Sequence, residues 1–258
     1  MAMAATLVGM VHLRPLPGSP RWRPPLARVV EQAVSEARLL AACGFDAVLV
    51  ENFGDAPFHA ERVAPATIAA MTLAVRAVRS AVTVPVGVNV LRNDAAAALG
   101  VATVTGADLI RVNVHTGAAA TDQGIVEGRA AATLRARHNL RSKVRIYADV
   151  HVKHSAPLGQ PDIGESAAEA AYRGLADGLI VSGTATGVPA ALADIRRVRQ
   201  AVPDRSLWVG SGITPESIAG LLAEADGAIV GTCLKRSGRT DGPLDRRRIE
   251  RLLAAAGR

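Results

Sequence analysis

Eight short β-branched runs alternate with alanine-rich helical patterns from one end of the chain to the other. This alternation limits the fold more than any single residue does. The runs lie at 6–12, 46–52, 84–90, 108–115, 144–151, 177–183, 207–212 and 227–232. Between them apolar residues recur at helical spacing, as at 26, 29, 30, 33, 34, 37, 40 and 41, where Gly44 follows as a stop. Pro65, Pro189 and Pro215 stand where first helical turns are expected, with Thr214 as an N-cap. Eight strand–helix units in 258 residues match a single-domain α/β fold, the (β/α)8 TIM barrel, over 1–258. An open doubly wound sheet is the alternative, because a strand count does not prove closure.

Four segments reinforce the barrel: "GFDAVLV", "GADLIRV", "LADGLIV" and "EADGAIV". Each sets an aspartate before an aliphatic run, on the second, fourth, sixth and eighth candidate strands. The echo fits a barrel of repeated two-unit modules. Aspartates at strand starts belong to the bottom face, where a stabilising role is expected.

Composition removes several function classes. The apolar stretches are short and interrupted, so no membrane span is expected. The N-terminus lacks a basic leader and two cysteines, Cys43 and Cys233, form no zinc spacing, so the cytoplasm is the expected compartment. The net charge of +7 invites a nucleic-acid partner, but basic residues are spread along helices and aromatics make up only 3% of the chain. No nucleic acid is expected. Of 30 basic residues only Lys143, Lys153 and Lys235 are lysines, which draws attention to those three.

In a barrel, chemistry sits at the carboxyl ends of the strands. Those ends carry His12, Glu51, Asn52, Asn89, Arg111, Asn113, His115, Asp149, His151, Lys153 and Ser182. So many polar groups on apolar strands suit proton transfer on a small polar molecule better than they suit a core. In "YADVHVKH", strand alternation puts Asp149, His151 and Lys153 on one face. Long loops follow the first, second, fourth and fifth runs and are expected to be lids or binding loops.

A second constellation points to phosphate. "VGSGIT" ends the seventh run, "ADGAIVGTCLK" carries the eighth into a Gly-Thr turn, and "VSGTATG" follows the sixth. Glycines there let backbone N–H groups approach an anion, in the order in which many barrels bind phosphate.

The motifs "GMVHLRPLPGSPRW", "DAVLVENFGDAPF", "VGVNVLRNDAAAALG", "DLIRVNVHTGAAATDQGIVEG", "YADVHVKHSAPLG" and "DGLIVSGTATG" resemble the BtpA/SgcQ family over essentially the whole chain. The resemblance implies a barrel of the ribulose-phosphate-binding type. One branch of that family is named for photosystem I biogenesis, and another sits among sugar-phosphate genes. Residues standing in its motifs are His12, Glu51, Asn52, Asn89, Arg92, Asn93, Arg111, Asn113, His115, Asp122, Asp149, His151, Lys153, His154, Ser182 and Thr184.

The reading is an enzyme for a phosphorylated, sugar-like metabolite, of isomerase, epimerase or aldolase type, working at the carboxyl-terminal face. The alternative is a non-catalytic assembly or stability factor. Expected catalytic residues are Glu51, Asn89, Asn113, Asp149, His151 and Lys153. Expected binding residues are His12, Arg111, His115, Ser182, Gly183, Thr184, Ser211, Gly212, Gly231 and Thr232. No cofactor is expected; a divalent metal stays open, since Glu51, Asp149, His12 and His151 are acceptable ligands without a metal-binding spacing. The chain is expected to form a homo-oligomer.

Overall fold

Each of the eight runs forms a strand; the first spans its whole run, and the other seven stop short of theirs at the carboxyl end, where the chain turns away. The computed structural model describes residues 5–159, 161–183, 185 and 187–258. The first half contains β1 (Thr6–His12), α1 (Leu26–Cys43), β2 (Ala47–Glu51), α2 (Pro65–Ala81), β3 (Val86–Asn89), α3 (Ala95–Thr105) and β4 (Leu109–Val112). The hairpin β5 (Ala118–Thr121) and β6 (Gly124–Glu127) follows, then α4 (Ala130–Asn139), β7 (Arg145–Val150) and β8 (Ser155–Pro157). Helix α5 (Ile163–Ala168) runs into a π-helical turn, Glu169–Arg173. The chain ends with β9 (Gly178–Ser182), α6 (Leu192–Ala201), β10 (Ser206–Gly210), α7 (Ile218–Leu222), β11 (Gly227–Val230) and α8 (Arg246–Ala255).

Strands β1, β2, β3, β4, β7, β9, β10 and β11 pair in parallel and close on each other, so this is a (β/α)8 barrel. Gly44 closes α1 in the left-handed region and Pro65 opens α2, as the sequence implies. Pro189 and Pro215 do not sit in first turns: α6 begins at Leu192 and α7 at Ile218, so both prolines belong to the preceding loops. The long loops after β4 and β7 are not irregular. They supply β5, β6 and β8, a small antiparallel sheet over one side of the barrel's carboxyl end. Val114, Ala119, Val126 and Val152 form its own apolar cluster.

The barrel wall has two apolar sides. Outward residues pack under the helices in the main core. Inward residues Val8, Met10, Ala47, Leu49, Leu109, Tyr147, Ile180, Trp208 and Ile229 fill the lower interior. Tyr147 and Trp208 stack there with ring centroids 3.8 Å apart. Gly178 and Gly227 make room for them, since a Cβ at either would press on the Tyr147 or Trp208 ring. Two residues further along, inward positions on several strands turn polar.

The four echoed aspartates lock the strand pairs at the bottom face. Asp46, Asp108, Asp177 and Asp226 accept the backbone N–H groups of Leu7, Val86, Ile146 and Leu207 at 2.7, 2.9, 2.7 and 2.8 Å. Each aspartate's own N–H returns a bond to the carbonyl of that same residue. Arginines from the ends of the even helices complete the clasp. Arg258, Arg137 and Arg199 reach Asp46, Asp177 and Asp226, while Arg79 bonds the Gly106 carbonyl beside Asp108. Asp177→Ala removes two of these bonds and is expected to lower unfolding stability by about 1–3 kcal/mol, read by chemical denaturation. Ligand binding at the opposite face is expected to stay unchanged.

Candidate functional site

Strand parity builds the mouth. His12, Glu51 and Asn89 are lateral neighbours on β1, β2 and β3, and all point inward, above Met10, Leu49 and Gly87. Arg111 and Asn113 follow Leu109, and Asp149 follows Tyr147, in the same inward rows. Each of these strands therefore carries apolar side chains below and a polar one at its end.

The buried charges are largely matched. Arg111, 4% exposed, grips Asp149 through Nε at 3.0 Å and Nη2 at 3.0 Å, a bidentate pair. Asn113 Nδ2 donates to the same carboxylate at 2.6 Å. Burial works against the Arg111 charge, but Asp149 and Glu51 outweigh it and push its pKa up. Glu51 accepts from Asn89 Nδ2 at 2.6 Å and faces His12 Nε2 at 3.8 Å. His12 packs on Phe53, and burial, then the charges of Lys235, Lys153 and Arg111, hold its pKa well below the ordinary imidazole range. Lys153 is pushed down by burial and by Arg111, against the pull of Glu51 and Asp149.

Two cavities meet along this wall. One, about 250 Å³, is lined by His12, Glu51, Arg111, Lys153 and the turns Ser211–Thr214 and Gly231–Cys233. The other, about 330 Å³, lies towards β2–β4 and shares Glu51, Arg111 and Lys153 with the first. In the first lobe Ser211 (φ +66°) and Gly212 (φ +59°) are consecutive left-handed residues, an arrangement that turns successive N–H groups into a concavity. A Cβ at Gly212 would strike the backbone of Val188 and Pro189. Buried polar atoms without a hydrogen-bond partner among the described residues cluster around the mouth: His12 Nδ1, Ser182 Oγ, Ser211 Oγ, Asn113 Oδ1 and Arg92 Nε. Native structures leave few such groups, so their convergence points to a polar ligand.

Of the residues expected to bind, His12, Arg111, Ser211, Gly212, Gly231 and Thr232 line the first lobe. Ser182 sits in the adjacent wall with its hydroxyl buried, and Gly183 packs against the strap at Val188 and Pro189 instead of facing the cavity. Thr184 lies outside the described residues. His115 does not reach the mouth. Strand β4 stops at Val112, and the ring turns into the helical layer, where Nε2 meets the Gly174 carbonyl at 2.8 Å.

Among the expected catalytic residues, Glu51, Asn89, Asn113, Asp149 and Lys153 converge, but His151 does not. Strand β7 ends at Val150 and His151 is left-handed (φ +51°), which breaks the alternation read from "YADVHVKH". Its Nε2 lies 3.0 Å from Ser166 Oγ on α5, beside a small cavity of about 70 Å³ on the other side of Asn113 and Asp149, which line it too. The same bend returns Lys153 to the mouth. Of the motif residues given no separate role, Arg92, Asp122 and His154 line the second lobe. Asn52 and Asn93 instead staple loops, through the Leu91 and Val114 backbones.

One group escapes the sequence reading, in which Lys235 stands out as a rare lysine without a role. Arg248, one of the basic residues spread along the helices, stands at the rim of the first lobe and bonds the Cys233 carbonyl at 2.7 Å. Lys235, behind the Gly231–Thr232 turn, is 1% exposed and pairs with Glu36 of α1 at 2.8 Å. Among the described residues, no three His, Cys, Asp or Glu side chains form a metal-binding group. No helix there is long and apolar enough to cross a membrane. A larger cavity, about 910 Å³, opens at the bottom face, but Asp46, Arg199 and Asp226 in its wall are already paired in the clasps.

The fold and site define a (β/α)8 barrel with a polar, cation-rich mouth at the carboxyl ends of its strands. The chain belongs to the BtpA family, whose model matches residues 3–258. It is 47% identical over 249 residues to the photosystem I biogenesis protein BtpA of Synechocystis, covering 96% of this chain and 87% of that protein. It is 31% identical to the putative sgc region protein SgcQ of Escherichia coli, covering 96% and 92%. Phosphoribosyl anthranilate isomerase of Thermus thermophilus superposes with a TM-score of 0.59, covering 98% of both chains at 15% identity, a likeness of fold alone.

The depressed His12 pKa sets a pH dependence. The unfolded chain takes up a proton near pH 6.5 whereas folded His12 resists it, so stability is present above about pH 6.5 and falls on acidification. The melting temperature is expected to drop between about pH 7 and 5, and His12→Asn to flatten part of that slope.

Proposed function

We propose that this barrel is an enzyme acting on a phosphorylated, sugar-like metabolite, with proton-transfer or aldol-type chemistry at its mouth. The observation that carries the reading is the wall of Glu51, Arg111 and Lys153 common to both cavities. A ligand anchored by phosphate in the first lobe and reaching into the second passes over these three side chains. The left-handed Ser211–Gly212 turn, the Gly231–Thr232 turn and the rim cation Arg248 supply the phosphate lobe.

In this reading Glu51, oriented by Asn89, removes a proton beside the substrate carbonyl. Lys153 and Arg111 hold the negative charge that develops on oxygen, in a site largely closed to water. Asp149 positions Arg111 rather than touching substrate, and Asn113 Nδ2 holds Asp149 in place. His12 stays uncharged beside Glu51 and can relay a proton. The lowered pKa of Lys153 also suits imine formation with a carbonyl substrate, with loss of water. The two free cysteines accord with a cytoplasmic setting.

The name of the 47% identical relative favours a second reading, a non-catalytic assembly factor. Ligand binding separates the two. Glycerol 3-phosphate is expected to raise the melting temperature and glycerol to leave it unchanged. Ser211→Ala deletes a hydroxyl with no hydrogen-bond partner among the described residues. It is expected to leave the unliganded melting temperature nearly unchanged and to weaken glycerol 3-phosphate binding roughly threefold to tenfold. Equal response to both glycerol compounds would remove the phosphate reading.

Lys153→Met is expected to keep or raise the melting temperature, because the ammonium is partly buried and forms no ion pair among the described residues. It should lower kcat for the phosphorylated metabolite captured from cell extract by at least roughly 100-fold. Full activity of Lys153→Met would contradict this assignment.

A further inference from the structure

The second lobe contains a cation that the chemistry above does not use. Arg92, in the loop between β3 and α3, is 5% exposed and lines the 330 Å³ cavity. Among the described residues its side chain bonds one acceptor, the Lys153 carbonyl, and its buried Nε–H has none. Asp149, Asp122 and Glu51 act on it only at a distance, and no carboxylate pairs with it. A buried guanidinium without a counter-charge is costly, and the bond to the Lys153 carbonyl, which ties two loops together, supplies no negative charge. Arg111 shows the contrast: it is equally buried, but Asp149 neutralises it through a two-point contact.

The remaining groups of the lobe narrow what the counter-charge can be. Asn113 commits its NH2 to Asp149, so Oδ1 faces outward as an acceptor in need of a donor. Glu51 and Asp122 add carboxylates to the same wall. A second phosphate, carrying up to two charges, would face both carboxylates. A single carboxylate flanked by hydroxyls suits the lobe better, since its charge meets Arg92 and its hydroxyls donate to Asn113 and the acids. Phe53, Phe58 and Leu91 supply an apolar side along which a carbon chain can lie.

We propose that Arg92 is the anchor of a second anion subsite and that the ligand is a phosphorylated hydroxy acid, its phosphate in the first lobe and its carboxylate at Arg92. This rests on the phosphate reading above and adds the chemical class of the ligand's other end.

The test compares 6-phosphogluconate with glucitol 6-phosphate by calorimetry; the two differ at the end remote from phosphate, carboxylate against alcohol. Wild-type protein is expected to bind the acid roughly tenfold or more tightly than the alcohol, the scale of one charge-assisted contact. Arg92→Met should bring that ratio close to one and leave the glucitol 6-phosphate affinity within about twofold. Arg92→Lys, which keeps the charge and guards against a merely structural loss, should retain part of the preference.

If wild-type protein binds both compounds and inorganic phosphate but shows no preference for the acid, Arg92 is not an anion subsite while the phosphate reading stands. A preference unchanged in Arg92→Met overturns the proposal in the same way. If neither compound nor inorganic phosphate binds, the phosphate reading fails and this proposal falls with it.

Discussion

Strand register is the constraint on which the rest of this molecule depends. In a parallel barrel a slip of one residue exchanges every inward side chain for an outward one. Here such a slip would put Glu51, Arg111 and Asp149 against the helices and an aliphatic residue at the mouth. The bottom face guards against this with four aspartates, each bonded both ways to the first or second residue of the preceding barrel strand. Four arginines from the even helices tie the corners together. A stabilising layer at one end thus determines which side chains are presented at the other.

The presented side chains are mostly compensated. Arg111 has Asp149, Asp149 has Asn113, Glu51 has Asn89, and Lys235 behind the first lobe has Glu36. Each arrangement offsets the desolvation of a buried charge, and breaking one is expected to cost several kcal/mol. Arg92 and Lys153 are the exceptions: cations in the two lobes with no carboxylate paired to them among the described residues. An unpaired buried cation costs stability. That is a common signature of a binding site, where local interactions are left incomplete for the ligand.

Much of this was legible before the structure. All eight barrel strands showed in the apolar runs, because a strand buried on both faces writes a continuous aliphatic signal. The Asp echo pointed to the bottom face, although the glycines beside Asp177 and Asp226 gave no sign of the stacked rings they accommodate. The errors came where periodicity was extended past a strand's end. His115 and His151 keep the parity of their strands on paper, but β4 ends at Val112 and β7 at Val150, and a left-handed turn redirects His151. Lys153 reached the mouth because of that turn, not because of alternation. Lys235 and Glu36 stand 199 residues apart in the chain, so no local pattern could pair them. The short β5, β6 and β8 strands read as loops because their alanines and exposed edges carry no strand signal.

The central claim is that the mouth, and not another cavity, holds a phosphorylated ligand. A crystal structure of the protein grown with glycerol 3-phosphate tests it most directly. The phosphate is expected within hydrogen-bonding reach of Ser211 Oγ and of the backbone at Gly212 and Gly231, with the glycerol end towards Lys153. Phosphate bound instead in the bottom-face cavity between Asp46 and Asp226, or a mouth without the ligand at saturating concentration, would contradict the account.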